Sequence, residues 1–109
     1  MSISYNFDSE KWFKLSLSEQ LANIGSEVIR AMKWHQKGEK EHFEKAIERA
    51  LELFDLTLSD QRWKNRAKEI ARMREVICDF FYCGNQYNSN LLSLDNYFFH
   101  FALSARLKK

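Results

Sequence analysis

Residues 16–38, SLSEQLANIGSEVIRAMKWHQKG, decide the fold class of this chain. Their hydrophobic positions recur every three or four residues, the spacing that places side chains on one face of an α-helix. These positions are Leu17, Leu21, Ile24, Val28, Ala31 and Met32. Ser16 followed by Glu19 forms a capping-box pattern before the apolar run, and Gly38 stands where helices commonly end. We predict a first helix over residues 17–37.

Gly25 lies in the middle of this predicted helix, where glycine costs about 1 kcal/mol relative to alanine. A missing side chain leaves room for another backbone or a bulky side chain. We therefore expect a neighbouring helix to approach closely at this position.

The same periodicity continues along the chain and predicts three more helices. The second covers residues 40–58, and its inward face comprises Phe43, Ala46, Ile47, Ala50, Leu51, Phe54 and Leu58. The third covers residues 61–83, with Asp60 as its N-cap and Gly84 after its end. Its inward residues are Trp63, Ala67, Ile70, Ile77 and Phe81, with Arg74 on or beside the same row. The turn-rich run GNQYNSN, 84–90, predicts a loop before a fourth helix over residues 91–107.

The composition agrees with a helical protein. The chain has 109 residues, 45% of them hydrophobic and 29% charged, which fits one globular domain over residues 1–109. It has no proline and only three glycines, too few turn formers for many short strands. We predict an all-α fold, an antiparallel up-down four-helix bundle. Residues 1–15 form an N-terminal arm that packs on the bundle or on a neighbour, because it contains Tyr5, Phe7, Trp12 and Phe13.

The fourth predicted helix, LLSLDNYFFHFALSARL, is poor in charge, with only Asp95 and Arg106. At helical pitch one apolar row comprises Leu91, Leu94, Phe98, Phe101 and Ala105. A second row comprises Leu92, Phe99, Leu103 and Leu107, and a neutral polar row comprises Ser93, Asn96, His100 and Ser104. Surface helices usually present charges on their outer face. This helix is therefore predicted to be central in a bundle or packed on a partner.

The function that this pattern favours is a non-enzymatic interaction protein that self-associates as a homodimer or larger species. The predicted interface comprises Leu92, Ser93, Asn96, Phe99, His100, Leu103 and Ser104. A second protein as partner stays open.

Two charged stripes flank the second and third predicted helices. The acidic stripe comprises Glu41, Glu44, Glu48, Glu52 and Asp55, and the basic stripe comprises Lys64, Lys68 and Arg72. One interpretation pairs the stripes across a helix seam or leaves them solvated, at about 0–1 kcal/mol per exposed pair. The other makes the basic stripe a weak nucleic-acid-binding row, although Glu69 and Glu75 interrupt it and the net charge is only +2.

No cofactor, metal or membrane span is predicted. Glu39 and His42 have the Glu-x-x-His spacing of di-iron bundles, but such a site needs a second motif and further glutamates. Cys78 and Cys83 are placed as two free thiols, which fits a reducing cytosol. The N-terminus lacks a signal-peptide pattern, and the last helix is too short and polar to span a bilayer, so the expected location is cytoplasmic.

Several polar residues lie near the apolar margins of the predicted helices. They are Asn23, Ser26, Glu27 and Arg30 on the first helix, Arg49 and Asp55 on the second, and Arg74 and Asp79 on the third. They form interhelical hydrogen bonds that set the packing register, or they line a pocket for a small ligand.

Arg30 and His35 are separated by four residues, and this spacing resembles the motif of the HEPN superfamily of all-α proteins, which includes RNA-cleaving toxins. The resemblance implies an RNase or toxin-antitoxin component, in which the His acts in acid-base cleavage and the Arg steadies the phosphate. In that family a polar residue usually follows the Arg and the motif opens a late helix. Here Ala31 follows, and the pair closes the first predicted helix.

Three segments resemble a group of short bacterial all-α proteins of unknown function. The segments are LANIGSEVIRAMKW (21–34), AIERALELFDLTLSD (46–60) and KEIARMREVICDF (68–80). The resemblance implies a stand-alone helical chain and supplies no activity.

Overall fold

The computed structural model describes residues 9–84 together with Asn96 and Phe98, and this part of the chain is all-α, as predicted. Four α-helices follow one another: α1 (Ser9–Trp12), α2 (Leu17–Gln36), α3 (Lys40–Leu58) and α4 (Ala67–Tyr82). A 3₁₀ helix, Gln61–Arg66, precedes α4. Asn96 and Phe98 are both helical, and the remainder of the fourth predicted helix, over 91–107, lies outside the described residues.

The ends of α2 follow the signals in the sequence. Ser16 Oγ accepts a hydrogen bond from the Glu19 backbone N–H at 3.1 Å, and Glu19 Oε1 accepts one from the Ser16 N–H at 2.9 Å. This reciprocal capping box satisfies two amides that the first helical turn leaves unpaired. Gly38 follows the helix with a φ of 74°, which glycine adopts without steric cost. The six apolar positions of the predicted inward face are all buried.

α2 and α3 form the most extensive helix pair of the described structure. The end of α2 contacts the beginning of α3, where the His35 and Phe43 rings lie 5.0 Å apart. The inward face of α3 is rotated slightly from the predicted one. Leu53 and Thr57 are buried, whereas Leu51 and Leu58 are only half-buried. The predicted face was centred on the hydrophobic residues alone, and Thr57 has a buried hydrogen-bond partner that no hydrophobic pattern reveals.

The third helix was predicted over 61–83, but in the structure this segment is broken near its start. Trp63 has non-helical dihedral angles (φ −104°, ψ 20°), and the regular α-helix begins only at Ala67. At this break the Trp63 indole N–H donates to Gln20 Oε1 at 2.9 Å, a contact with α2 that no local sequence pattern reveals. Ile70 and Ile77 are buried as expected, and so is Met73, which the predicted inward row omitted.

The N-terminal arm contributes one side chain to the core. Trp12 is 7% exposed, and its indole N–H donates to Thr57 Oγ1 at 3.1 Å. Phe13 is 37% exposed and points away from the core. Tyr5 and Phe7 of the same arm lie outside the described residues.

Gly25 meets a bulky neighbour, as its position in α2 predicted. A Cβ added at Gly25 would lie 2.5 Å from Phe98 Cβ and 2.6 Å from Phe98 Cγ. Phe98 itself is 4% exposed. The helix turn that contains Phe98 is therefore seated on α2 at the one position of that helix without a side chain.

We predict that Gly25→Ala destabilises the protein, although alanine is the better helix former. Overpacking against Phe98 costs about 1–3 kcal/mol. Replacing glycine by alanine gains about 1 kcal/mol in helix propensity. The free energy of unfolding, measured by urea denaturation, should fall by about 1 kcal/mol. The neighbouring exposed variant Ser26→Ala should stay within about 0.5 kcal/mol of the parent. A Gly25→Ala protein as stable as the parent would contradict this packing.

Candidate functional site

A buried polar network joins four segments of the chain around the Gln20 side chain, which is fully buried. Gln20 Nε2 donates to the Trp12 carbonyl oxygen at 2.9 Å and to Asp60 Oδ2 at 3.4 Å. Its Oε1 accepts the Trp63 indole N–H. The amide is thus satisfied by protein groups, and it ties the arm, α2, the end of α3 and the 3₁₀ helix together.

An ion pair completes this network at its solvent side. Arg62 Nη2 lies 2.7 Å from Asp60 Oδ2, and the Arg62 backbone N–H donates to Asp60 Oδ1 at 3.0 Å. The guanidinium also donates to the Leu15 carbonyl at 2.9 Å and lies 4.4 Å from the centre of the Trp63 ring. The hydrogen bond from Arg62 lowers the pKa of Asp60 and outweighs the opposing effect of burial. Such a cluster has a structural role, because its charged groups have partners within the protein.

Sequence reasoning missed the central role of Gln20, although a signal was present. Gln20 lies three residues after Leu17 and four before Ile24, which places a polar residue on the apolar face of α2. By contrast, the bonds described for two of the polar candidates stay within α2. Asn23 donates to the Glu19 carbonyl, and Arg30 pairs with Glu27.

Arg30 and His35, the HEPN-like pair, have different neighbours. Arg30 is exposed and forms an ion pair with Glu27 at 3.1 Å. His35 belongs to an aromatic cluster, and its ring lies 5.0 Å from that of Phe43 and 5.6 Å from that of Phe81. The described contacts therefore direct these two side chains to separate surroundings.

His42 also packs on an aromatic ring. Its imidazole stacks on Trp34 with the ring centres 4.4 Å apart, and Lys37 Nζ lies 5.3 Å from the same indole. Glu39 is the N-cap residue of α3 and its side chain makes no capping hydrogen bond. Within residues 9–84, Asn96 and Phe98, no group of three or more His, Cys, Asp or Glu side chains is arranged to hold a metal ion.

One described ion pair joins the acidic stripe to α4 at a residue outside the basic stripe. Asp55 pairs with Arg74, whose Nε lies 3.1 Å from Asp55 Oδ1. The three residues of the basic stripe, Lys64, Lys68 and Arg72, are exposed. Beside them is an open groove of about 560 Å³, lined by Lys68, Ala71, Arg72, Arg74, Glu75 and Cys78. Glu69, which interrupts the basic stripe in sequence, pairs with Arg66 at 2.8 Å.

Both cysteines are free thiols. Burial raises the pKa of Cys78, against the opposing charge of Arg74, so this thiol is protonated at neutral pH. A protonated, half-buried thiol is a poor nucleophile. Cys78 is therefore better placed to line the groove than to react.

The predicted self-association interface falls mostly outside the described residues: Leu92, Ser93, Phe99, His100, Leu103 and Ser104. Asn96, its described member, is exposed, whereas Phe98 of the adjacent apolar row is buried. These two residues therefore lie on opposite sides of the same helix turn.

No protein-family model, curated protein or solved structure matches this chain. Among the helices of the described part, none has both the length and the apolar character needed to cross a bilayer.

We predict that Asp60→Asn makes the free energy of unfolding less dependent on pH in the acid range. The pKa of Asp60 is lowered in the folded protein from its ordinary value of 3.8. Its stabilising contribution is therefore complete well above pH 3.8 and is lost as the pH falls below that value. Urea unfolding between pH 2 and 7 should show the parent approaching the variant at low pH. Asp55→Asn, at an ion pair whose carboxylate is 57% exposed, controls for the removal of a surface aspartate. A stability gap between parent and Asp60→Asn that persists at pH 2 would contradict the prediction.

Proposed function

We propose that this protein is a non-enzymatic helical interaction protein that self-associates through the outward side of its last predicted helix. The observation that carries the proposal is the opposite exposure of two residues in one helix turn. Phe98 is buried against Gly25, and Asn96 is exposed. One side of this helix turn is therefore used inside the chain, and the other side is available to a partner.

The sequence places more apolar residues on the side of Asn96 than a solvated surface needs. Consecutive helical residues are rotated by about 100°, so Asn96 is about 160° from Phe98. The same rotation puts Leu92, Phe99 and Leu103 within about 60° of Asn96. An apolar stripe of this kind, flanked by neutral polar side chains, is typical of a protein contact surface.

The proposed architecture is an antiparallel up-down four-helix bundle in which residues 91–107 supply the fourth helix. The contact of Phe98 with Gly25 supports it, because one residue of the last predicted helix packs there against α2. A second copy of the chain is the proposed partner, since the stripe has few charges and can pack against itself about a two-fold axis.

The contacts of Arg30 and His35 favour this proposal over the RNase alternative. An acid-base pair for RNA cleavage needs both groups within reach of one phosphate. Arg30 is paired with Glu27, and the exposed His35 ring lies edge-on to two phenylalanine rings. Because the basic stripe is exposed, nucleic-acid binding is the alternative to test beside self-association.

We predict that Asn96→Glu and His100→Glu each reduce the molar mass of the assembly. Each places a charge in the neutral polar row, and burying an unpaired charge in a contact costs several kcal/mol. Size-exclusion chromatography with light scattering should show the parent as a dimer or larger species. At the same concentration, both variants should shift toward the monomer.

Gln36→Glu is the matched control, because it adds one negative charge at an exposed position at the end of α2. It should leave the mass unchanged. A monomeric parent, or variants with the mass of the parent, would overturn the proposal. Nucleic acid that elutes with the protein, detected by absorbance at two wavelengths, would instead favour the basic stripe as the functional surface.

A further inference from the structure

The described part of the N-terminal arm, residues 9–15, has one deeply buried side chain. Trp12 is 7% exposed and belongs to the hydrophobic core, and Leu15 is half-buried beside that core. The other residues of this segment are exposed: Ser9, Glu10, Lys11, Phe13 and Lys14. Trp12 is therefore the main apolar anchor of the arm.

The backbone hydrogen bonds described for residues 9–15 run within the arm itself. The Phe13 N–H donates to the Ser9 carbonyl at 3.0 Å, and the Leu15 N–H donates to the Trp12 carbonyl at 3.1 Å. These bonds shape α1 and the turn that follows it. A helix of four residues is too short to be stable by itself in water. The arm therefore owes its position to its contacts with the rest of the protein.

Three described hydrogen bonds join the arm to the rest of the protein, and each uses a side chain. The Trp12 indole N–H donates to Thr57 Oγ1 at 3.1 Å, and the Trp12 carbonyl accepts from Gln20 Nε2 at 2.9 Å. The Leu15 carbonyl accepts from Arg62 Nη2 at 2.9 Å. These donors and acceptors come from α2, α3 and the 3₁₀ helix, so the arm is released only when bonds to all three are broken.

Release of the arm leaves the helices with contacts of their own. α2 and α3 form the most extensive helix pair, and Gln20 keeps its bonds to Asp60 and Trp63. Water reaches the Thr57 hydroxyl and the Gln20 amide from the side that the arm has left. A polar group that water reaches does not carry the cost of one that is buried without a partner. Terminal segments with few buried contacts commonly open at a lower free energy than global unfolding requires.

We propose that the arm is a strap that opens and closes as one unit while α2, α3 and α4 stay folded. Trp12 anchors the strap, and Arg62 holds it at Leu15. The open strap uncovers the Thr57 hydroxyl and the Gln20 amide, between the end of α3 and the beginning of α2. The strap thereby controls access to this part of the core. This device goes beyond the proposed self-association, because it uses no residue of the last predicted helix.

Hydrogen exchange of the Trp12 indole N–H, followed by NMR in D₂O on the full chain, tests the strap. This proton is bonded to Thr57 when the strap is closed, so it exchanges when the strap opens. Its resonance is the indole signal that disappears in Trp12→Phe. The reference groups are the backbone N–H groups of Ala50 and Phe54, two residues of α3 with fully buried side chains.

We expect two differences between the indole and the reference amides in the parent protein. The protection factor, which is the exchange rate of an unprotected group divided by the observed rate, should be about 100-fold lower for the indole, because local opening requires less free energy than global unfolding. Exchange of the indole should also be nearly independent of urea below the unfolding transition, because opening of the strap exposes little surface. Exchange at Ala50 and Phe54 should accelerate steeply with urea.

Thr57→Val tests whether the strap moves as a unit. It removes the acceptor of the indole N–H and should accelerate exchange at Trp12 about tenfold, since a buried donor is left without its partner. If the strap opens as one unit, the backbone N–H of Leu15 accelerates by a similar factor. The amides of Ala50 and Phe54 report any change in global stability in the same experiment.

Arg62→Gln tests the hold at the other end of the strap. It removes the guanidinium that binds the Leu15 carbonyl and should accelerate exchange of the Trp12 indole about threefold, at the scale of one weak hydrogen bond. Arg66→Gln is the matched control, because it makes the same change in the same 3₁₀ helix at an exposed ion pair with Glu69. The control should leave exchange of the indole unchanged.

Two results would contradict the strap. An indole that exchanges at the protection and the urea dependence of Ala50 and Phe54 would show that the arm leaves only when the whole protein unfolds. An indole that accelerates in Thr57→Val while Leu15 keeps its rate would show that the arm does not open as a unit. The comparison in the parent needs no substitution, so it decides the first point even where a variant fails to fold.

Discussion

The side-chain amide of Gln20 is the constraint on which the described structure depends. It is fully buried and bonded to Trp12, Asp60 and Trp63, each from a different segment of the chain. A buried amide left without partners costs about 1–3 kcal/mol for each unsatisfied group. The arm, the end of α3 and the 3₁₀ helix are therefore held in one mutual arrangement with α2, because other arrangements leave this amide unpaired.

That arrangement decides where the charges lie. At Trp63, whose indole N–H donates to Gln20, the chain between α3 and α4 forms a 3₁₀ helix rather than the first turns of a longer α-helix. α4 then lies with Arg74 opposite Asp55, and Lys68 is left on the surface.

A second constraint acts on the other side of α2. Gly25 lets Phe98 approach within van der Waals contact of the helix backbone, and this close packing turns Asn96 outward. One packing contact therefore links the interior to the proposed contact surface. The proposed contact surface follows from this packing, because one side of the helix turn contacts α2 and the opposite side is exposed at Asn96. In this proposal the apolar stripe supplies affinity by excluding water.

By itself, the sequence determined the all-α class, the capping box of α2, its buried face and the need for close packing at Gly25. Each of these depends on local periodicity or on the backbone chemistry of a few adjacent residues, so it can be predicted without the fold. Only the tertiary structure decided that Gln20 organises the core, that the helix breaks at Trp63 and that Asp55 pairs with Arg74. These contacts join residues far apart in the chain, where several geometries compete. The choice among them is made by burial and by the need of every buried polar group for a partner.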